Sequence, residues 1–153
     1  STPIKSSAAS DVYKRQIFYN SERIPIMQWY NFLLVDREKE DILTFDVKIQ
    51  KSIFTVATTY NTNQKDLLAL KNHINLLYQQ RIHKIVYSSL NERLRVELEW
   101  ENMGHIKQKF VIVEEQTGSC LEVGCLFDQT FLPELEADMD DVLIEIKRLK
   151  KMP

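Results

Sequence analysis

Glycine and proline are scarce in this chain, with three and four among 153 residues. Disordered segments and loop-rich scaffolds are rich in such residues, so neither describes the chain. No apolar run approaches the roughly 20 residues that a membrane-spanning helix needs. No charged opening followed by an apolar core marks a signal peptide. Cysteine is limited to Cys120 and Cys125, too few for a disulfide-stapled fold. The two lie five apart on a predicted strand, which turns them to opposite faces, so a mutual bridge would need a sharp break. Free thiols in a reducing cytoplasm are the expectation, and with it a cytoplasmic protein. One-signed charge is also missing. Twenty Lys and Arg stand against 22 Asp and Glu, a formal net charge of −2, which gives no global pull toward nucleic acid.

Signatures of chemistry are missing too. Neither G-x-G-x-x-G nor G-x-x-x-x-G-K-[ST] occurs, and no G-x-S-x-G. The three histidines, His73, His83 and His105, have no metal spacing with one another or with a cysteine. His73 falls on the polar side of a predicted helix and His105 beside a turn, both as surface residues. The expectation is a chain with no catalytic residue, no cofactor and no metal site.

What is present is a patterned globular sequence, 44% hydrophobic and 27% charged, long enough for one domain with a real core. Residues 1–16, STPIKSSAASDVYKRQ, are small and polar without a period. The part from Ser6 resembles translated sequencing-adapter sequence, and these residues are expected to be a disordered or artefactual leader; an ordinary frayed terminus is the alternative. The domain is expected over 17–153. Ile26 to Val35 reads as a buried strand. A charged connection follows at 36–41. Leu43, Phe45, Val47 and Ile49 alternate with polar residues, as a half-buried strand does. A pairing strand is expected over 51–60. Asn63 then caps a helix over 64–80, with Leu67, Leu70, Ile74 and Leu77 at helical spacing.

Strand character returns at 81–89. Leu94, Val96, Leu98 and Trp100 alternate next, Asn102-Met103-Gly104 turns the chain, and Ile106, Phe110 and Ile112 return. The expected architecture is α+β: an antiparallel sheet of about six to seven strands with two amphipathic helices, one central and one C-terminal. No internal repeat is visible.

The closing stretch organises the rest. Leu121, Val123, Cys125 and Phe127 alternate as a strand. Leu132, Leu135, Met139, Val142, Ile146 and Leu149 then recur as one helix face. Thr130 or Asp128 can cap that helix, and Pro133 fits its first turn. Acidic residues fill the first part and Lys147, Arg148, Lys150 and Lys151 the last, complementing the helix dipole. Phe127-Asp128-Gln129-Thr130-Phe131-Leu132-Pro133-Glu134-Leu135 resembles the strand-to-helix signature of WapI-like immunity proteins, the protective partners of wall-associated polymorphic toxins in bacteria. The likeness extends loosely over 29–147, through Gly104-His105-Ile106 and the helix near Asp66-Leu67. It implies an inhibitory binding role, with the C-terminal domain of a cognate toxin as partner, and carries no catalytic motif.

Two surfaces are candidates for that contact. Glu134, Glu136, Asp138, Asp140, Asp141 and Glu145 crowd the first half of the last helix. As a negative patch they would steer a basic partner such as a nuclease; as a solvated face they would merely favour the helix N-terminus. Glu136, Asp140 and Asp141 lie off the apolar stripe and are expected to face solvent. The second candidate is a sheet face bearing Arg93, Arg95 and Glu97, with Glu99, Lys107 and Lys109, where cross-strand ion pairs are the simpler account. The competing class is a non-catalytic binding module or scaffold with a small ligand held between sheet and helix.

Overall fold

A computed structural model describes residues 8–35 and 42–151, with side chains of the first strand described from Arg15 onward. The order is β1 (Ala8–Tyr19), β2 (Pro25–Val35), β3 (Ile42–Lys51), β4 (Phe54–Asn63), α1 (Gln64–Tyr78), β5 (Lys84–Ser88), β6 (Leu94–Trp100), β7 (His105–Val113), β8 (Cys120–Asp128), a short 3-10 turn (Gln129–Phe131) and α2 (Leu132–Lys150). Four strands and a helix thus occur twice. All strand pairs are antiparallel, in two four-stranded sheets ordered β1-β2-β3-β4 and β5-β6-β7-β8.

Alternation explains the strands. Leu43, Phe45, Val47 and Ile49 are buried, while Lys48 and Gln50 between and beside them are exposed. Leu94, Val96 and Leu98 are buried on β6 in the same way, as are Ile106, Phe110 and Ile112 on β7. The first sheet gathers its aromatics: Trp29 and Tyr60 flank Phe45 with ring centroids 4.9 and 4.3 Å away, and Phe32 stacks on it at 4.7 Å. Phe18 meets Phe110 of the second sheet edge-on at 5.4 Å. One continuous core takes residues from both sheets and both helices. Each fully buried large apolar side chain contributes about 1.5–3 kcal/mol.

The helices begin and end for local reasons. Asn63 has extended backbone and its side chain accepts from Asp66 N–H at 2.7 Å, the cap expected from sequence. α1 ends at Tyr78, two residues earlier than expected, because Gln80 adopts φ 59° and closes the turn. α2 carries Pro133 at its start, where no helical hydrogen bond is lost. Asp128 caps the 3-10 turn ahead of it, accepting from Thr130 N–H at 2.8 Å. Leu135, Met139, Val142 and Ile146 are all buried.

Four expectations are corrected. The sheet of six to seven strands is two sheets of four, because α1 separates β4 from β5 and each hairpin series pairs only with itself. Periodicity identifies strands but is silent about which strands pair. Second, the stretch expected to lie outside the fold as a leader is strand from Ala8, and Ile17 and Phe18 just beyond it are core. Edge pairing is made by backbone groups, so a small polar composition does not forbid it. Third, the strand expected over 51–60 runs from Phe54 to Asn63, since Ser52 at φ 54° makes the hairpin turn; Ile53 and Phe54 at its tip are 90% and 62% exposed. Fourth, the strand expected over 81–89 contracts to Lys84–Ser88. Residues 1–7 of the leader and the charged connection at 36–41 lie outside the described residues.

Candidate functional site

The joint between β8 and α2 is built from residues 127–135. Gln129 N–H donates to Gly104 O at 2.9 Å, tying the joint to the β6–β7 turn. Gly104 sits at φ +80°, and a Cβ there would stand 3.2 Å from the Gln129 side-chain nitrogen, so both conformation and space favour glycine. Phe131 stacks beside Phe127 at 6.4 Å and carries the Arg23 guanidinium over its ring at 5.5 Å. Asp128, which accepts from Thr130 in this turn, has its acidity strengthened by that backbone bond. These residues fix where α2 starts and which way it points.

The acidic face of α2 is threaded with partners from elsewhere. Glu134 pairs with Arg23 at 2.6 Å, and Asp140 with Lys71 of α1 at 3.0 Å. Glu136 accepts from Asn75 of α1 at 2.8 Å. Arg15 of β1 bonds Asp138 and reaches Asp141 at 2.7 Å. Glu145 holds Arg148 one turn on, at 2.7 and 3.0 Å. Asp138 and Glu145 are buried; Asp141 is exposed, and Glu136 and Asp140 are half-buried rather than open to solvent. The solvent-facing expectation therefore holds for Asp141 alone. The other carboxylates flank a stripe that packs on α1 and β1, and cations and amides of α1, β1, the β1–β2 turn and α2 itself meet them. Burial pushes the Asp138 carboxyl above the usual range, against the pull of Arg15, and its Oδ2 is buried without a partner.

The second candidate surface is a cross-strand charge ladder. Glu97 receives Arg95 at 2.9 Å, Lys84 at 3.1 Å and Lys109 at 3.8 Å, and Lys109 also lies 3.6 Å from Glu122. Burial would raise the Glu97 carboxyl, but its hydrogen bond to Lys84 and the charges of Lys109, Lys84 and Arg95 hold it below the usual range. Arg93 pairs with Glu115 at the sheet end. Glu99 faces His83 at 3.7 Å. The structure brings Arg95 and Glu97 together and keeps Arg93 with a different partner.

A third feature escaped the sequence reading. Asp66, Ala69 and His73 on α1 face Val86 and Ser88 of β5 across a cavity of about 240 Å³. His73, read in sequence as a surface residue, is exposed, and Asp66 gives its backbone N–H to the Asn63 cap; their shared helix face, at i and i+7, was the signal that could have marked a wall. Tyr87 stands beside this cavity with its hydroxyl 2.5 Å from Thr62 Oγ1, and burial keeps it un-ionised.

Cys120 is exposed and Cys125 half-buried, and they are not bridged. Burial raises the Cys125 thiol, with Lys51 and Gln108 pulling the other way. Among the described residues no group of three His, Cys, Asp or Glu is placed to hold a metal ion, and no helix is long and apolar enough to cross a membrane. Compared with known proteins, the chain matches no family model, no curated protein and no solved structure.

Proposed function

We propose that the chain is an immunity protein that binds the C-terminal domain of one cognate bacterial toxin and neutralises it by occlusion. The observation that carries this reading is the Phe127–Leu135 joint. The residues resembling the WapI-like signature each do a job in one joint: Asp128 caps, Gln129 ties to Gly104, Phe131 stacks, and Leu132 and Leu135 are buried. A likeness concentrated in residues that set a fold supports a shared fold, and the inhibitory role comes with it as a proposal. The cytoplasm is the compartment where such a partner would be needed. Occlusion asks for no chemistry from the inhibitor, only a surface that fits and a fast encounter.

The partner surface proposed from sequence keeps its exposed member, Asp141, beside the half-buried Asp140, Glu134 and Glu136. Because these carboxylates already hold cations and amides of the chain itself, attraction to a basic toxin acts at short range. The charge ladder at Arg93, Arg95 and Glu97 is the alternative contact. The test is co-expression. A toxin domain encoded beside this gene, at the end of a secreted repeat protein, is produced in bacteria with and without the chain. Growth restored by the chain, with a complex recovered on size exclusion, is the expected result. Unrescued growth with both proteins soluble overturns the proposal.

A second reading is a non-catalytic binding module, and the cavity between α1 and β5 favours it. A ligand held there would raise the melting temperature without any toxin present.

A further inference from the structure

β5 lies at the edge of its sheet, with β6 on one side only. The ladder parity is fixed at both ends. Trp100 N–H donates to His83 O at 3.0 Å, and Ser89 N–H donates to Leu94 O at 2.9 Å. In an antiparallel pair, residues bonded to the neighbour alternate with residues whose N–H and C=O point away. Ile85 and Tyr87 therefore bond to β6, and Lys84, Val86 and Ser88 turn their backbone groups outward.

Other edges have such groups taken. On β8, Lys51 Nζ bonds Gly124 O, and Ser21 Oγ donates to Leu126 O at 3.0 Å. On β4, Leu90 N–H donates to Asn61 O at 2.8 Å and Asn91 Nδ2 to Thr59 O at 3.2 Å. Among the described residues, none reaches the outward groups of Val86 or Ser88. A strand edge left in this state is a template for another strand.

The space beside that edge has a far wall. α1 runs past it and closes a groove, with Asp66 and His73 about two turns apart on the facing side. Asp66 is half-buried, and among the described residues its carboxylate has neither an ion pair nor a side-chain hydrogen bond. Each of the six acids on α2, by contrast, has a cation or an amide. Val86 adds an apolar side chain that is 56% exposed.

We propose that the groove between β5 and α1 takes an extended polypeptide segment of a partner protein, which pairs with Val86 and Ser88 as a fifth strand and sets a Lys or Arg against Asp66. Main-chain bonds supply affinity in this mode, and the side chains that fall between strand and helix supply selectivity. The cation is specified by charge complementarity: the Asp66 carboxylate lines the groove and can receive a bound ammonium or guanidinium. Assigning the segment to a toxin domain rests on the function proposed above; the groove does not.

The test uses the full chain and a displayed library of random nine-residue peptides. Enriched peptides are expected to carry a Lys or Arg and to perturb the amide signals of Val86 and Ser88 on titration. Val86→Pro removes an outward N–H without touching the β6 ladder. It is expected to weaken binding about tenfold or more, the scale of one lost hydrogen bond. Asp66→Asn keeps the shape of the side chain and is expected to cost a similar factor for basic peptides alone. If Val86→Pro misfolds, Asp66→Asn and the amide perturbations of the unaltered chain still decide. Absence of enrichment, binding by both variants equal to that of the unaltered chain, peptides without a basic residue, or self-association of the chain through β5 would each overturn the proposal. A chain that rescues growth in co-expression yet selects no peptide loses this groove and keeps its proposed function. One that selects basic peptides yet rescues nothing keeps the groove and loses that function.

Discussion

Asp138 is the residue at which fold and electrostatics conflict most directly. It is buried on α2, one oxygen is met by Arg15 and the other has no partner. Burial raises its pKa above the ordinary aspartate value of 3.8. A carboxyl with a raised folded pKa binds its proton more tightly in the folded state. Its contribution to stability is complete below 3.8 and is lost as pH rises through the folded value. Asp138→Asn cannot titrate. The melting temperature of the variant minus that of the unaltered chain should therefore grow more positive as pH rises from 3.8 toward neutrality. A difference that is flat with pH would show that the Arg15 pair balances burial, and one that falls that it outweighs burial; either would sink the prediction. This conflict was not legible in the sequence. Asp138 sits beside Met139 at the margin of the apolar stripe, and whether a margin is buried depends on what packs there, which helical spacing does not say.

At the scale of elements, α2 is held by its apolar stripe and trimmed by its acids. Leu135 is buried against the core, and truncating such a leucine costs about 2–5 kcal/mol. Chemical denaturation of Leu135→Ala should show a loss in that range; a shift under about 0.5 kcal/mol would mean that the helix start is not docked. The acids make a separate prediction. Replacing Glu136, Asp140 and Asp141 together by Lys removes the partners of Asn75 and Lys71 and one of the two carboxylates on Arg15, and sets new cations beside Lys71. Exposed pairs contribute about 0.2–1 kcal/mol each, so the triple variant should be destabilised by roughly 0.5–2 kcal/mol. An unchanged melting curve would return these acids to a solvated face. Helices, the cap of α1 and most strands were legible because each is written in local spacing, as with Asn63 or Leu43 to Ile49; the expected cap of α2 was not found, since Asp128 caps the 3-10 turn and α2 starts after Phe131 without a side-chain cap. The cross-strand pairs of Glu97 were legible too, but the ion pairs of α2 were not, since Lys71 and Asp140, or Arg23 and Glu134, lie far apart in the chain and meet only through the fold.

For the whole molecule, the partition into two sheets was the largest thing that sequence withheld. Alternation in β4 and β5 reads alike, and nothing in either strand says that a helix of 15 residues between them ends one sheet and starts another. The repeat of four strands and a helix is likewise invisible to residue comparison, because it is a repeat of hairpins and not of side chains. Charge behaves similarly. A net of −2 conceals local pairing so complete on α2 that a half-buried acid without a partner, Asp66, stands out only once the others are placed. Gly104 shows the opposite case: Asn102-Met103-Gly104 was legible as a turn, and its further service as the seat of Gln129 came from a residue 25 positions away.

The order of the two halves has a consequence for how the protein is made. The first sheet and α1 emerge from the ribosome complete through Tyr78, whereas α2, which supplies partners for Lys71 and Asn75 and shares the core, begins only at Leu132. At about 5–20 residues per second, the inner face of α1 waits several seconds for its cover. During that interval the nascent chain presents Leu67, Leu70, Ile74 and Leu77 to solvent, a stripe of the kind that holding chaperones grasp. Slow translation between β5 and β8 would lengthen the wait and lower the yield of native protein, while leaving the finished fold no less stable.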